Sequence, residues 1–131
     1  MALGGTLSYV RGKNRDTHDN LFRIAPLNGQ LYGELRRGRW THRAEIRAAA
    51  QQHEVSSYND EQKSGGWAIH NLRTQWSDSQ WQLRGGIENL FDKNYHDHLA
   101  GINRVNDGVV AVGDPIPSAG RFGYLEARYY W

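Results

Sequence analysis

Two observations predict an all-β fold, an antiparallel up-and-down meander of about six strands. Apolar and polar residues alternate over six stretches of the chain. The connections between those stretches are short and long by turns. Composition agrees, with five Trp, seven Tyr, three Phe and 15 Gly against only three Pro, whereas disordered chains are poor in aromatics.

Near the N-terminus Leu3, Gly5, Leu7 and Tyr9 alternate with Gly4, Thr6 and Ser8, until Val10 breaks the pattern. Within residues 27–38, Leu31, Gly33 and Leu35 interleave with Tyr32, Glu34 and Arg36. Within 39–51 the set His42, Ala44, Ile46, Ala48, Ala50 faces away from Arg43, Glu45 and Arg47. Residues 44–52 also contain good helix formers, but a helix would wrap these alternating charges around its whole circumference, and a strand confines them to one side. Residues 66–76 are less regular, with Leu72, Thr74 and Trp76 opposite Asn71, Arg73 and Gln75. Residues 80–88 set Trp81, Leu83, Gly85 and Ile87 against Gln82, Arg84, Gly86 and Glu88. The last stretch sets Leu125, Ala127, Tyr129 and Trp131 against Tyr124, Glu126, Arg128 and Tyr130.

Arg37-Gly38 and Ser77-Asp78-Ser79 read as hairpin turns, while 13–26, 53–65 and 99–119 are long and polar. In a meander this places every tight turn at one end and every long loop at the other, as in an outer-membrane barrel. Trp40, Trp76, Trp81, Tyr129 and Trp131 gather near the tight-turn end, where an interfacial girdle would lie. A soluble sandwich or lipocalin-like barrel with ordinary core packing is the alternative.

Length and charge narrow the function. The 131 residues suit one domain. Sixteen basic and 14 acidic residues leave a net charge of +2, too balanced for a nucleic-acid binder despite a pI near 9.0. The absence of cysteine excludes disulfide scaffolds, thiol catalysis and Cys-bound zinc. Mean hydropathy is −0.79, and no run approaches the roughly 18 apolar residues of a membrane helix. Barrel strands need only every second residue apolar, so this polarity is compatible with a membrane wall. Met1-Ala2-Leu3-Gly4-Gly5 has neither the basic start nor the apolar core of a secretory signal.

Residues 85–95 carry a specific resemblance. Gly-Gly-Ile-Glu-Asn-Leu-Phe-Asp-Lys-Asn-Tyr, with Asn89, Leu90, Phe91, Asp92 and Tyr95, resembles the penultimate-strand motif of TonB-dependent outer-membrane receptors. Gly113-Asp114-Pro115-Ile116-Pro117 and Gly120-Arg121 resemble the last loop of that family. The terminal pattern Leu125, Ala127, Tyr129, Trp131 resembles the signal read by the outer-membrane assembly machinery. Leu7 to Asn14 and Pro26-Leu27-Asn28-Gly29 resemble preceding strands, so the likeness runs along the whole chain. It implies that residues 1–131 are the C-terminal segment of a transmembrane β-barrel, with the plug domain absent and Trp131 closing against a first strand. It also implies import of a metal or metal chelate, either a siderophore or copper, across the outer membrane of a Gram-negative bacterium. The partners so implied are outer-membrane lipid and the assembly machinery, with TonB reached only through N-terminal parts the chain lacks. No cofactor of its own is expected beyond transported metal. Family barrels have about 22 strands, and six strands with open edges cannot satisfy their backbone in lipid.

His96-Asp97-His98 is the candidate metal site, because two His at i, i+2 project to one side of an extended segment and imidazole suits copper, nickel or zinc. The run Tyr95-x-x-His98-Leu99 is similar to one in metal-carrying family members. Arg36, Arg43, Glu45, Arg47, Arg73, Arg84, Glu88, Glu126 and Arg128 are expected to form cross-strand ladders on a lumen wall. Asp16, Asp19, Asp60 and Glu61 lack calcium-loop spacing. No Gly-x-Ser-x-Gly elbow or phosphate loop is present, so no enzyme is expected. Two other functions are consistent with the sequence: a small soluble β-sheet binding module, and a truncated fragment without independent activity.

Overall fold

The computed structural model describes residues 1–106 and 108–131. Six strands form one antiparallel sheet in chain order: β1 Ala2–Ser8, β2 Asn28–Arg37, β3 Trp40–Ala49, β4 Trp67–Ser77, β5 Trp81–Glu88 and β6 Phe122–Tyr129. Residues 44–49 are strand, as their charge alternation requires. β1 and β6 end earlier than the alternation does. The partner of β1 starts at Asn28, opposite Ser8, and the partner of β6 starts at Trp81, opposite Tyr129. Beyond these points there is no ladder to join, although the Tyr130 N–H still reaches the Gln80 carbonyl at 2.8 Å.

The register sorts side chains into two faces. One carries the rows Leu31–Ile46–His70, Gly33–Ala44–Leu72–Ile87 and Leu35–His42–Thr74–Gly85–Leu125. The other carries Glu45–Asn71, Glu34–Arg43–Arg73–Gly86–Tyr124 and Arg36–Thr41–Gln75–Arg84–Glu126. Burial is inverted relative to a protein folded in water. Leu31 is 56% exposed and Ile46 42%, while Glu45 is 5% and Asn71 1% exposed. A sheet that shows its leucines and hides its carboxylates suits an apolar solvent on the first face and polar contents on the second.

Ion pairs line the polar face, those of Arg43 and Arg73 between strands and those of Arg36 and Arg128 within their own strands rather than in the expected cross-strand ladder. Glu34 accepts from Arg36 at 2.9 Å and from Arg43 at 3.2 Å, and the Arg43 guanidinium also lies 3.9 Å from the Tyr32 ring centroid. Arg73 bridges Glu45 at 3.3 Å and Glu88 at 2.9 Å. Arg84 donates to Gln75 and Arg128 to Glu126. Two tyrosines lie over glycines of the adjacent strand, Tyr32 across Gly4 and Tyr124 across Gly86. A Cβ on Gly86 would fall 2.7 Å from the Tyr124 ring.

The hairpins explain the tight end. β2 and β3 are joined through Gly38 and Arg39, with positive φ at Gly38 alone, the type II′ pattern whose twist matches the strands. Between β4 and β5 the Asp78 carboxylate accepts the Gln80 and Trp81 N–H groups at 2.9 and 2.7 Å. Those backbone donors hold it below the usual carboxylate range, helped by Arg39 at 3.7 Å.

Candidate functional site

The three long connections, 9–27, 50–66 and 89–121, leave the end of the sheet opposite the hairpins. Polar side chains, not apolar packing, hold them together. Asp19 of the first loop accepts from the Ser56 and Ser57 hydroxyls at 2.7 and 2.9 Å and from the Ser57 and Tyr58 N–H groups at 3.2 and 3.0 Å. With the Tyr58 N–H and the Ser56 hydroxyl contributing most, its carboxyl is held far below the usual range. Asn20 reaches the same segment through the Val55 carbonyl.

Glu61 is the point where all three loops meet. Its carboxylate accepts the Arg23 N–H of the first loop and the Ser56 N–H of its own loop, each at 2.8 Å. Its Oε1 also lies 3.2 Å from His98 Nε2 of the third loop, with both side chains almost fully covered. That last contact does not meet hydrogen-bond geometry, so Nε2 has no hydrogen-bond partner among the described residues. The other ring nitrogen, Nδ1, shares a 3.0 Å hydrogen bond with the Ser64 hydroxyl. Gln62 adds a bond to the Gly113 carbonyl.

The expected histidine pair lies at this junction. Asp97 between the two rings is extended, at φ −77° and ψ 130°, and accepts the Leu99 N–H to cap a short 3-10 helix, His98–Ala100, so the chain turns only from His98 onward. His96 is exposed, His98 is buried, and both His98 nitrogens face protein groups. Among the described residues no group of three or more His, Asp or Glu side chains is placed to hold a metal ion. A small cavity of about 50 Å³ lies here, lined in part by Arg23, Glu61, His96, His98 and Arg104.

The motif residues 89–95 anchor the third loop to the sheet. Asn89, 2% exposed and at φ +52°, donates to the Lys93 and Ala119 carbonyls and accepts the Lys93 N–H. Its own N–H goes to Asn71 Oδ1 on the polar face of β4 at 3.0 Å. Asp92, also at positive φ, accepts the Arg121 N–H at 2.7 Å. The Leu90 N–H extends the ladder to the His70 carbonyl. Phe91 meets His70 edge-on at 5.0 Å, and Tyr95 packs on Trp67 at 4.6 Å. Loop three therefore folds over the polar face, where Asp97 and Leu99 share a recess of about 280 Å³ with Gln30, Arg47 and Trp67. Asp107 of this loop lies outside the described residues.

At the other end Tyr129 packs on Trp81 at 4.9 Å, while Leu125 and Trp131 are among the most exposed apolar side chains. Asn71, Glu61 and Asp19 are the residues that sequence reasoning missed. Asn71 carried one signal, an amide alternating with charges on a polar strand face. The two acids carried none, because their partners in the other loops lie 35 or more residues away in the chain.

No protein-family model and no curated protein matches this sequence. Among solved structures the chain is similar to one named "Copper transporter OprC", with a TM-score of 0.87 and 25% identity. The match covers 97% of this chain and 20% of that one, so the chain has the fold of about a fifth of the transporter's length.

Proposed function

We propose that the chain forms the wall and final loop of a TonB-dependent outer-membrane transporter barrel that imports a metal or a metal chelate. The observation that carries this reading is the inverted sheet, with leucines outward on one face, a paired charge ladder on the other, and all long loops at one end. A soluble binding module would instead cover the apolar face. Similarity to part of a copper transporter supports a metal-linked cargo, and the motif residues Asn89, Asp92 and Tyr95 support the barrel family. In this reading the apolar rows face lipid and the Arg–Glu ladder faces the lumen. The loop cap over Asn71 forms the outer mouth.

The wall reading is tested by transferring the chain between plain buffer and detergent. In detergent micelles Trp40, Trp76 and Trp81 should be shielded from aqueous quenchers, and without detergent the chain should aggregate, because its apolar face and open strand edges are uncovered. A monodisperse monomer in plain buffer with cooperative unfolding would falsify it. For the cargo, copper or nickel is titrated into wild type and into His96→Ala/His98→Ala. At least tenfold weaker binding in the double variant is expected if the pair takes part, and equal affinity removes both residues from the cargo path. His98→Ala alone should also loosen the loops to proteolysis, because it unties Ser64 and Glu61. His96→Ala should leave them intact.

A further inference from the structure

The apolar face is not uniform. Gly33, Ala44, Thr74 and Gly85 are small residues on adjacent strands, and with Leu35, Leu72 and Ile87 they line a shallow groove of about 690 Å³. Among the described residues, the polar side chains that line it from this face are His42 and Thr74, while Glu34, Arg43 and Arg73 border it from positions on the opposite face. His42 and Thr74 satisfy each other through a 2.9 Å hydrogen bond, and the His42 ring stacks on Trp40 at 5.8 Å. The groove is thus apolar and its polar atoms are engaged.

Below it, toward the tight turns, lies the row Arg37–Trp40–Trp76–Leu83. Arg37 alternates with Leu31, Gly33 and Leu35, so it is a cation on the apolar face, exposed and without an ion pair among the described residues. Arg39 lies beside it in the turn, 65% exposed, with its guanidinium 5.9 Å from the Trp76 ring centroid. The one acid nearby, Asp78, is 3.7 Å from Arg39 but already accepts two backbone N–H groups. Strand residues rise about 3.3 Å each, so the Arg37 row lies roughly 13 Å from the Gly33–Ala44 row. That is close to the depth of one leaflet of a hydrocarbon core about 30 Å thick.

We propose that this strip is a binding site for one anionic phospholipid, with its phosphate between Arg37 and Arg39 and an acyl chain in the groove over Gly33, Ala44, Thr74 and Gly85. The inference rests on the wall reading and goes beyond it, since a generic wall accepts any lipid. Charge complementarity selects the occupant: two guanidiniums at headgroup level lie directly below an apolar furrow one leaflet deep. A free phosphate would satisfy the arginines but leave the furrow unused.

The chain is refolded in detergent micelles doped with equal phosphatidylglycerol and phosphatidylcholine of identical acyl chains, and its retained lipid is read by native mass spectrometry. One phosphatidylglycerol should be retained preferentially. A cationic side chain near the surface contributes roughly fivefold to retention of an anionic lipid, so Arg37→Gln/Arg39→Gln should lose up to about 25-fold of the preference. Ala44→Leu, which fills the groove, should weaken retention of both lipids, whereas Arg128→Gln on the polar face should change neither. Inorganic phosphate should not compete. Equal retention of the two lipids by wild type overturns the proposal. So does a preference that survives the double arginine change or is lost with Arg128. A chain that takes up neither detergent nor lipid and stays monodisperse in plain buffer overturns the wall reading itself, a different result from a micelle-bound chain with no preference.

Discussion

Asn71 links the wall to the loops, and truncating it measures that link. Its side chain is 1% exposed, donates to Glu45 Oε1 at 3.0 Å and accepts the Asn89 N–H at 3.0 Å. Asn71→Ala leaves a buried carboxylate oxygen short of a donor and orphans a backbone N–H on a residue 2% exposed. Each unsatisfied buried group costs about 1–3 kcal/mol, with the charged acceptor toward the top of that range. A total near 3 kcal/mol corresponds to roughly a hundredfold in the unfolding equilibrium. Arg73 still pairs with Glu45, so the strand itself should persist. Urea titration of wild type and variant refolded in the same detergent, followed by tryptophan fluorescence, gives the difference. Asn71→Asp keeps the acceptor for Asn89 but puts a second carboxylate against Glu45, and should cost more at neutral pH than the alanine change. A loss below about 0.5 kcal/mol for Asn71→Ala, the level of an ordinary surface change, would refute the link.

Two further outcomes follow from named contacts. Gly86→Ala places a methyl 2.7 Å from the Tyr124 ring and should destabilise by about 1–3 kcal/mol. The cost should vanish in a Tyr124→Ala background, and Gly33→Ala, which meets open space, serves as the neutral comparison in the same urea assay. At Asp19 the folded carboxyl titrates below its unfolded value of about 3.9, so its stabilisation is complete above that pH and lost as pH falls below it. Hydrogen exchange at Ser57 and Tyr58, corrected for intrinsic rates, should stay protected at pH 5. Asp19→Asn should accelerate it at neutral pH, and a pH-independent variant effect confined to other amides would contradict the assignment.

The sheet was legible because its signal is local. A period of two needs only neighbours in sequence, and Gly38 and Asp78 mark the tight turns by their own chemistry. The inversion was legible too, since Arg43, Glu45 and Arg47 alternate with Ala44, Ile46 and Ala48. The loop cap was not. Asp19 meets Ser56, and Glu61 meets Arg23 and His98, over separations of 35 or more residues that no periodicity encodes. His98 was legible as a loop imidazole but not as a joint between loops: its spacing from His96 suggested a shared ligand, whereas its Nδ1 meets Ser64 and its Nε2 faces Glu61, both in another loop.

The ties through Asp19, Glu61, Gln62 and His98 also limit how this molecule can vary. Each loop carries half of a contact whose other half belongs to another loop, so no loop can be exchanged alone without orphaning a buried carboxylate or imidazole. The exchangeable unit is the set of three. A chimera carrying only one foreign loop inherits broken joints, whereas one carrying all three on the same six strands inherits a finished mouth.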